Sequence, residues 1–327
     1  MADKQVRDTV VILVHGEVLA GEHNSTIPDQ RRNAGMLAEY LLPILRSNLR
    51  VAVLHGNKPQ VGFVLFRAEL ASHILHSIPL DVCGADTQGA TGYMISQALM
   101  NVLRKNGLQR NVMSVLTQTV VDSRDPLFHR PTKAIGPRFD RNKAEQHRQT
   151  RGWHIVEEPG LGYRRAVPAP PPLEIVEIED IKRLVESGTV VITAGGGGIP
   201  VIRTEEGRLE GIEAVVDTDQ VACILANQLE AKVMLMVVEK DDKFLLSRLT
   251  IEEKHHLSLP EVEEILAGNT LSSGMVRAKL QAAAKFLGSG GEQVIITTLR
   301  KLPLTLAKES GLRIGVANPT LEFFGDH

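Results

Sequence analysis

The segment Thr189-Val-Val-Ile-Thr-Ala-Gly-Gly-Gly-Gly-Ile-Pro200 passes from an unbroken apolar run straight into four glycines. A β-branched run without polar interruption reads as a strand covered on both faces, and the glycines as the loop that leaves it. Lacking Cβ atoms, Gly195, Gly196, Gly197 and Gly198 let backbone N–H groups approach an anion, which is more than a tight turn requires. The same order recurs along the chain. Thr9–Val14 runs into His15-Gly16-Glu17, and Arg50–Leu54 into His55-Gly56-Asn57-Lys58-Pro59-Gln60. Further apolar runs at Val112–Leu116, Val233–Val238 and Gln293–Thr297 alternate with helix-period stretches such as Asp29–Leu45 and Phe63–His76. This alternation predicts an α/β fold: a mainly parallel sheet with crossover helices. Ligands of such sheets bind beyond the carboxyl ends of the strands, where the three Gly-bearing loops lie. Together the loops suggest one polyphosphate or acyl-phosphate ligand, although none matches the Walker or dinucleotide pattern.

Composition narrows the function. The 327 residues carry 37 Lys+Arg against 39 Asp+Glu, a net charge of -2 that argues against a nucleic-acid binder. The chain is 43% hydrophobic and 23% charged, ordinary for a globular protein, and 4% aromatic, too little for base-stacking platforms. Val10–Val14 is too short an apolar run for a signal peptide or membrane span. Cys83 and Cys223 read as core thiols and suggest a reducing, cytoplasmic setting. His15, His55 and His129 lie far apart, and His255-His256 falls in a charged stretch that reads as helical, so no metal site is expected and a metal-dependent hydrolase is disfavoured. No Gly-x-Ser-x-Gly elbow is present. Residues 119–170 break the rhythm with Pro126, Pro131, Pro137 and Pro159 and many charges, showing little helix or buried-strand pattern. An insertion of that length is usually functional, often a lid, and Pro168–Pro172 reads as a stiff connector after it.

Several segments resemble a known family. His55-Gly-Asn-Lys-Pro-Gln-Val-Gly62 is similar to the His-Gly-Asn-Gly-Pro-Gln-Val-Gly segment of carbamate kinases. Pro79–Tyr93, Thr117–Asp122, Asp125–Phe128, Pro131–Gly136, Ala194–Val201 and Gly211–Asp217 also look like that family. The resemblance implies the amino-acid-kinase fold, a three-layer αβα sandwich with a protruding subdomain over the substrate at about 119–165, in one domain, usually paired as a homodimer. It implies a substrate-side lobe, residues 1–214, and a nucleotide-side lobe, residues 215–327. The implied reaction is reversible: carbamoyl phosphate plus ADP gives carbamate plus ATP, with Mg²⁺ neutralising the nucleotide. Lys133 would bind the carboxylate or phosphate end of the substrate. Lys279 would contact the migrating phosphoryl group, with Asp219 orienting it. Gly16, His55, Gly56, Asn57, Lys58 and the Gly195–Gly198 loop would cradle the oxyanions, and Asp217 and Met275 would meet the nucleotide.

The chain departs from the family at the positions that matter for charge. The family's Gly-Gly-Asn loop reads His15-Gly16-Glu17, and its Asp-Lys-Asp reads Asp217-Thr218-Asp219, which removes a transition-state lysine. The nucleotide-side Thr-Asp-Val-Asp reads Val238-Glu239-Lys240-Asp241. Lys58, where the family has glycine, and Arg277, two residues before Lys279, add positive charge; each is expected to be a solvated surface change unless its geometry serves the site. Two expectations follow: a carbamate-kinase-like phosphotransferase, or one acting on a related acyl phosphate; alternatively, a catalytically impaired relative that binds a ligand or joins a complex.

Overall fold

The computed structural model describes residues 8–21, 26–239, 256–268, 274–317 and 319. Its centre is an eight-stranded sheet. From one edge the order is β13 (His256–Leu257), β15 (Leu312–Gly315), β14 (Gln293–Thr298), β12 (Val233–Val238), β1 (Thr9–Val14), β2 (Arg50–His55), β9 (Val190–Thr193) and β3 (Val112–Ser114). All neighbours run parallel except β14 and β15. Val11 and Leu13 of β1 enter one core while Val10, Ile12 and Val14 enter the other, so the strand is buried on both sides. One face is covered by α7 (Ile178–Glu186), α8 (Thr218–Gln228) and the helix Gly274–Gly288, the last through Val276, Leu280 and Phe286. The other is covered by α2 (Ile27–Tyr40), α3 (Leu42–Arg46) and α5 (Leu80–Lys105). These are the three layers that the family resemblance implies, around a sheet covered on both faces as its apolar runs imply.

Two smaller sheets flank this body. One has the order β11 (Leu209–Gly211), β10 (Ile199–Arg203), β4 (Gln118–Val121) and β8 (Pro172–Ile175). The other has β5 (Lys133–Phe139), β7 (Gly162–Val167) and β6 (His154–Glu158), with α6 (Arg141–Arg151) beside them. Residues 119–170, in which the sequence shows little helix or buried-strand pattern, are therefore largely folded. The reason lies in their polarity: α6 buries only Ala144 and His147 and is held at its ends by the Asp140 side chain and left-handed Gly152. Its apolar periodicity is too thin to register. A small core of Val61, Leu80, Cys83, Ile135 and Val167 ties this sheet to α4 (Lys58–Ala71) and α5.

Other boundaries also move. The stretch expected as one helix, Asp29–Leu45, is two, divided at Leu41 just before Pro43, whose ring suits a helix's first turn and not its middle. The helix expected from Phe63 begins five residues earlier at Lys58, because Pro59 occupies its first turn. Val112–Leu116 is a strand only to Ser114. His256, expected in a helix, opens the two-residue strand β13, formed by pairing with Arg313 across the chain. Pro172 closes the proline-rich connector and starts β8.

Register explains where the loops meet. Val14 pairs with His55, and Leu54 with Thr193, so β1, β2 and β9 end level with one another. A Cβ on Gly56 would fall 2.6 Å from the backbone nitrogen of Gly16, and one on Gly16 would fall 3.0 Å from the Gly56 carbonyl carbon. Backbone cannot step aside as a side chain can. Gly56→Ala is expected to destabilise the protein by about 1–3 kcal/mol, read as a lower urea midpoint. Gly89→Ala, exposed in α5 with nothing within 4 Å of the new methyl, is expected to stabilise it by about 0.5–1 kcal/mol.

Candidate active site

The loops after β1, β2 and β9 floor a cleft of about 520 Å³. α1 (Gly16–Ala20), α4 and α8 start at its edge, and the helix Gly274–Gly288 adds Ala278 and Lys279. The glycine loop is fitted tightly. Ala194 is left-handed at φ 49°, as are Gly196, Gly197 and Gly198 at φ 68°, 90° and 88°. A Cβ on Gly196 would meet the Asn57 amide at 2.1 Å, one on Gly197 the Val216 carbonyl oxygen at 2.7 Å, and one on Gly198 the Thr119 hydroxyl at 2.0 Å. Polar bonds pin the loop from below. Thr119 Oγ1 donates to the Gly197 carbonyl (2.8 Å), and the Ala194 amide donates to Thr117 Oγ1 (3.0 Å). Gln88 spans to both backbone groups of Thr117, at 2.9 Å each. Asn57 Nδ2 donates to Thr87 Oγ1 (2.7 Å).

The deepest charges form a chain. Lys279 Nζ donates to Asp219 Oδ2 (3.4 Å), and His15 Nε2 lies 3.1 Å from Asp219 Oδ1. The His15 contact is close but poorly aligned for a hydrogen bond, so it acts through charge and dipole. Burial pushes the Asp219 carboxyl up, yet the Lys279 ammonium and His15 outweigh it and hold the group down at about 2. Asp219 is thus an anion that keeps a buried cation in place. Asp217 caps α8, accepting from the amides of Asp219 (3.1 Å) and Gln220 (3.3 Å), and its other oxygen stands 3.6 Å from Lys133 Nζ.

Lys58 lines the cleft with Glu17, Lys133 and Arg164. It is exposed by surface area, yet the cleft walls still lower its pKa by desolvation; Glu17 opposes that shift, and Lys133 and Arg164 add to it. Solvent softens the effect at such a position. Arg277 goes elsewhere: its guanidinium donates to the Leu266 carbonyl (2.9 Å). Of the two added cations, the cleft receives only Lys58. Thr218 lines the cleft at the start of α8, a short side chain where the family carries a lysine.

Most of the remaining expected site residues are placed. Gly16, Gly56, Asn57, Gly196 and Gly198 line the cleft, whereas Gly195 and Gly197 are buried beneath it. His55 does not reach the cleft. It is 1% exposed, its Nδ1 donates to the Gly56 carbonyl (3.2 Å), and a Cβ on Gly195 would strike its ring at 2.5 Å. Burial lowers its pKa to about 4, leaving a neutral ring that props the glycine loop. Lys240 and the side chain of Met275 lie outside the described residues. Two wall residues escaped the sequence reading. Arg164 donates to the Gly136 carbonyl (3.0 Å) and pairs with Glu158 (3.2 Å), which also holds Arg138 (2.7 Å). Their only signal was charge inside the 119–165 insertion. Cys83 and Cys223 are free and buried, and among the described residues no His/Cys/Asp/Glu cluster could hold a metal.

The site can bind an anion between backbone amides and three lysine side chains, which is the equipment phosphoryl transfer needs. Comparisons with known proteins agree in detail. The chain is 37% identical to a carbamate kinase of Pyrococcus horikoshii over 312 residues, covering 94% of this chain and 99% of that one. It is 36% identical to the carbamate kinase-like protein YahI of Escherichia coli, covering 94% and 99%. A carbamate kinase from Giardia lamblia solved with AMP-PNP superposes with a TM-score of 0.85 at 32% identity, covering 94% and 98%. The model of the amino acid kinase family matches residues 9–298, and the chain belongs to that family.

Proposed function

We propose that the protein is a carbamate-kinase-like phosphotransferase that moves a phosphoryl group between carbamoyl phosphate, or a close acyl phosphate, and ADP. The observation that carries this reading is the convergence of Lys58, Lys133 and Lys279 on one cleft floored by glycine backbone. A ligand-binding, non-catalytic role draws no support from that geometry, because three cations exceed what holding a small anion requires.

Each residue has a task in the reaction. Gly16, Gly56, Gly196 and Gly198 leave room for phosphoryl oxygens in the cleft floor, with the Gly56 and Gly198 amides already bonded to the Val14 and Gly195 carbonyls, while Asn57 braces the glycine loop. Lys279, fixed by Asp219, stabilises the charge that develops on the transferring group. Lys133 and Lys58 hold the carboxylate or phosphate end of the acyl phosphate. Lys58 thereby restores to the cleft a charge that Thr218 does not supply. Mg²⁺ would arrive with the nucleotide and neutralise its phosphates, since Asp217 and Asp219 are already engaged by Lys133, Lys279 and His15. The nucleotide would lie on the 215–327 side and the acyl phosphate on the 1–214 side. The free buried thiols suit a reducing cytoplasm. Tyr93 and Met100 of α5 and Met113 of the edge strand β3 are exposed hydrophobics suited to a homodimer face. No helix among the described residues is long and apolar enough to cross a membrane.

A coupled assay of ATP formation from ADP and carbamoyl phosphate with Mg²⁺ tests the reading. Lys279→Ala is expected to lower kcat by about 10²–10³; a rate equal in variant and natural protein would remove Lys279 from the mechanism, and no rate in either would sink the reaction.

The pH profile tests Lys58. Its charged form is the useful one and its pKa is lowered, so the rate should begin to fall at lower pH than an ordinary lysine would allow. Lys58→Arg, which stays charged, is expected to move that alkaline limb upward, and Lys58→Met to lower the rate by about tenfold or more while removing the limb. An alkaline limb unmoved by either change would exclude Lys58 from the reaction.

A further inference from the structure

Beside the cleft lies an annex that carbamoyl phosphate does not need. A hollow of about 310 Å³ shares Glu17, Lys58 and Arg164 with the main cleft and continues between α4 and β5. Past those three residues its walls are apolar: Pro59, Phe63 and Phe66 on α4, and Pro137 on β5. Two glycines let the elements approach there, with a Cβ on Gly62 lying 3.8 Å from the Gly136 Cα. Phe66 keeps 44% of its surface exposed at this hollow, although a large aromatic gains by burial. Arg164 is held against the annex wall by the Gly136 carbonyl and by Glu158, which leaves its charge satisfied. The annex's charged groups, Glu17, Lys58 and Arg164, are all at the border it shares with the cleft, next to the end where Lys58 and Lys133 stand. Carbamate has no group to send into it.

We infer that the natural acceptor is a carboxylate bearing a short apolar tail, which lies against Phe63, Phe66 and Pro137 while its acyl phosphate faces Lys58 and Lys133. This rests on the phosphotransferase reading and specifies its substrate class. In the transfer, the bond between phosphorus and the acyl oxygen breaks and the carboxylate leaves with the electron pair. A terminal oxygen of ADP forms the new bond to phosphorus, giving ATP. Atoms and charge balance without another reactant.

The test compares acetyl, butyryl and carbamoyl phosphates as donors to ADP with Mg²⁺, in the natural protein and in Phe66→Asp and Phe63→Ala. Burying a methylene is worth about fourfold in kcat/KM, so butyryl phosphate, with two more methylenes, should exceed acetyl phosphate by about fifteenfold. Phe66→Asp sets a carboxylate in the annex at a half-exposed position that tolerates it, and should erase most of that ratio; Phe63→Ala should reduce it. A butyryl-to-acetyl ratio near one, with carbamoyl phosphate turned over normally, would overturn the tail-binding inference and leave the phosphotransferase standing. A high ratio unchanged in both variants would place the tail elsewhere and overturn it equally. No turnover with any of the three donors would overturn the phosphotransferase reading and this inference with it.

Discussion

Three neighbouring strands end at the same level, and the loops leaving them have to share one small space. That steric constraint governs the rest of the site. β1, β2 and β9 are adjacent and parallel, so the chain must turn away from each strand at the same edge of the sheet. Gly16 and Gly56 meet backbone to backbone, and Gly196, Gly197 and Gly198 are each closed in by Asn57, Val216 or Thr119. Not every amide of these loops is free: Gly56 donates to the Val14 carbonyl, Gly197 to Ala194 and Gly198 to Gly195. The shape of the cleft floor is thus a by-product of how the sheet is packed.

Charge is layered over this backbone floor in two ways that differ in depth. Lys279 and Asp219 are almost fully buried, and a buried pair gains rigidity more surely than it gains stability. Removing either partner strands the other, so the pair is suited to holding a cation still during reaction. Lys58, Lys133 and Arg164 stand nearer solvent with Glu17, Asp217 and Glu158 as counter-charges. Lys58 and Lys133 are more screened by solvent than the buried pair, which suits capture and orientation of a substrate, while Arg164 is fixed to the wall by the Gly136 carbonyl and Glu158. The deep pair is the one that positions; the outer group is the one that can be exchanged in evolution without collapse of the floor.

What the sequence disclosed follows the same division. β1, β2, β9, β12 and β14 were legible because residues buried on both faces leave an unbroken apolar run. The glycine loop was legible because four glycines in a row announce a backbone with left-handed turns and no room for side chains. The small sheets and α6 were not, since they are held by caps, ion pairs and one apolar cluster contributed by distant segments. β13 depends wholly on pairing with β15, which no local pattern announces. His55 shows a different limit. Its place in a recognisable loop was visible, but its rotation under Gly195, away from the cleft, is a packing outcome set by neighbours that the local pattern does not show. Arg164 and Glu158 reach the cleft only because β7 and β6 pair, so their role is tertiary in origin.

The two added cations, Lys58 and Arg277, show why residue type alone does not decide function. Both place a positive charge within a few residues of a site motif, and only geometry separates them. Arg277 is captured by the Leu266 carbonyl on its own side of the structure. Lys58 opens α4, whose first turn carries no acidic residue and points its amides toward the cleft, so ammonium and helix end act on the same space. The same residue also lines the annex that Phe63 and Phe66 wall. One substitution therefore bears on the cleft and the annex together. In the proposed reaction it would set a charge at the border between the cleft and the annex. With Thr218 on α8 and Lys58 on α4, the proposed phosphotransferase would hold part of its positive charge beside the annex, where the inferred acceptor's acyl group would lie.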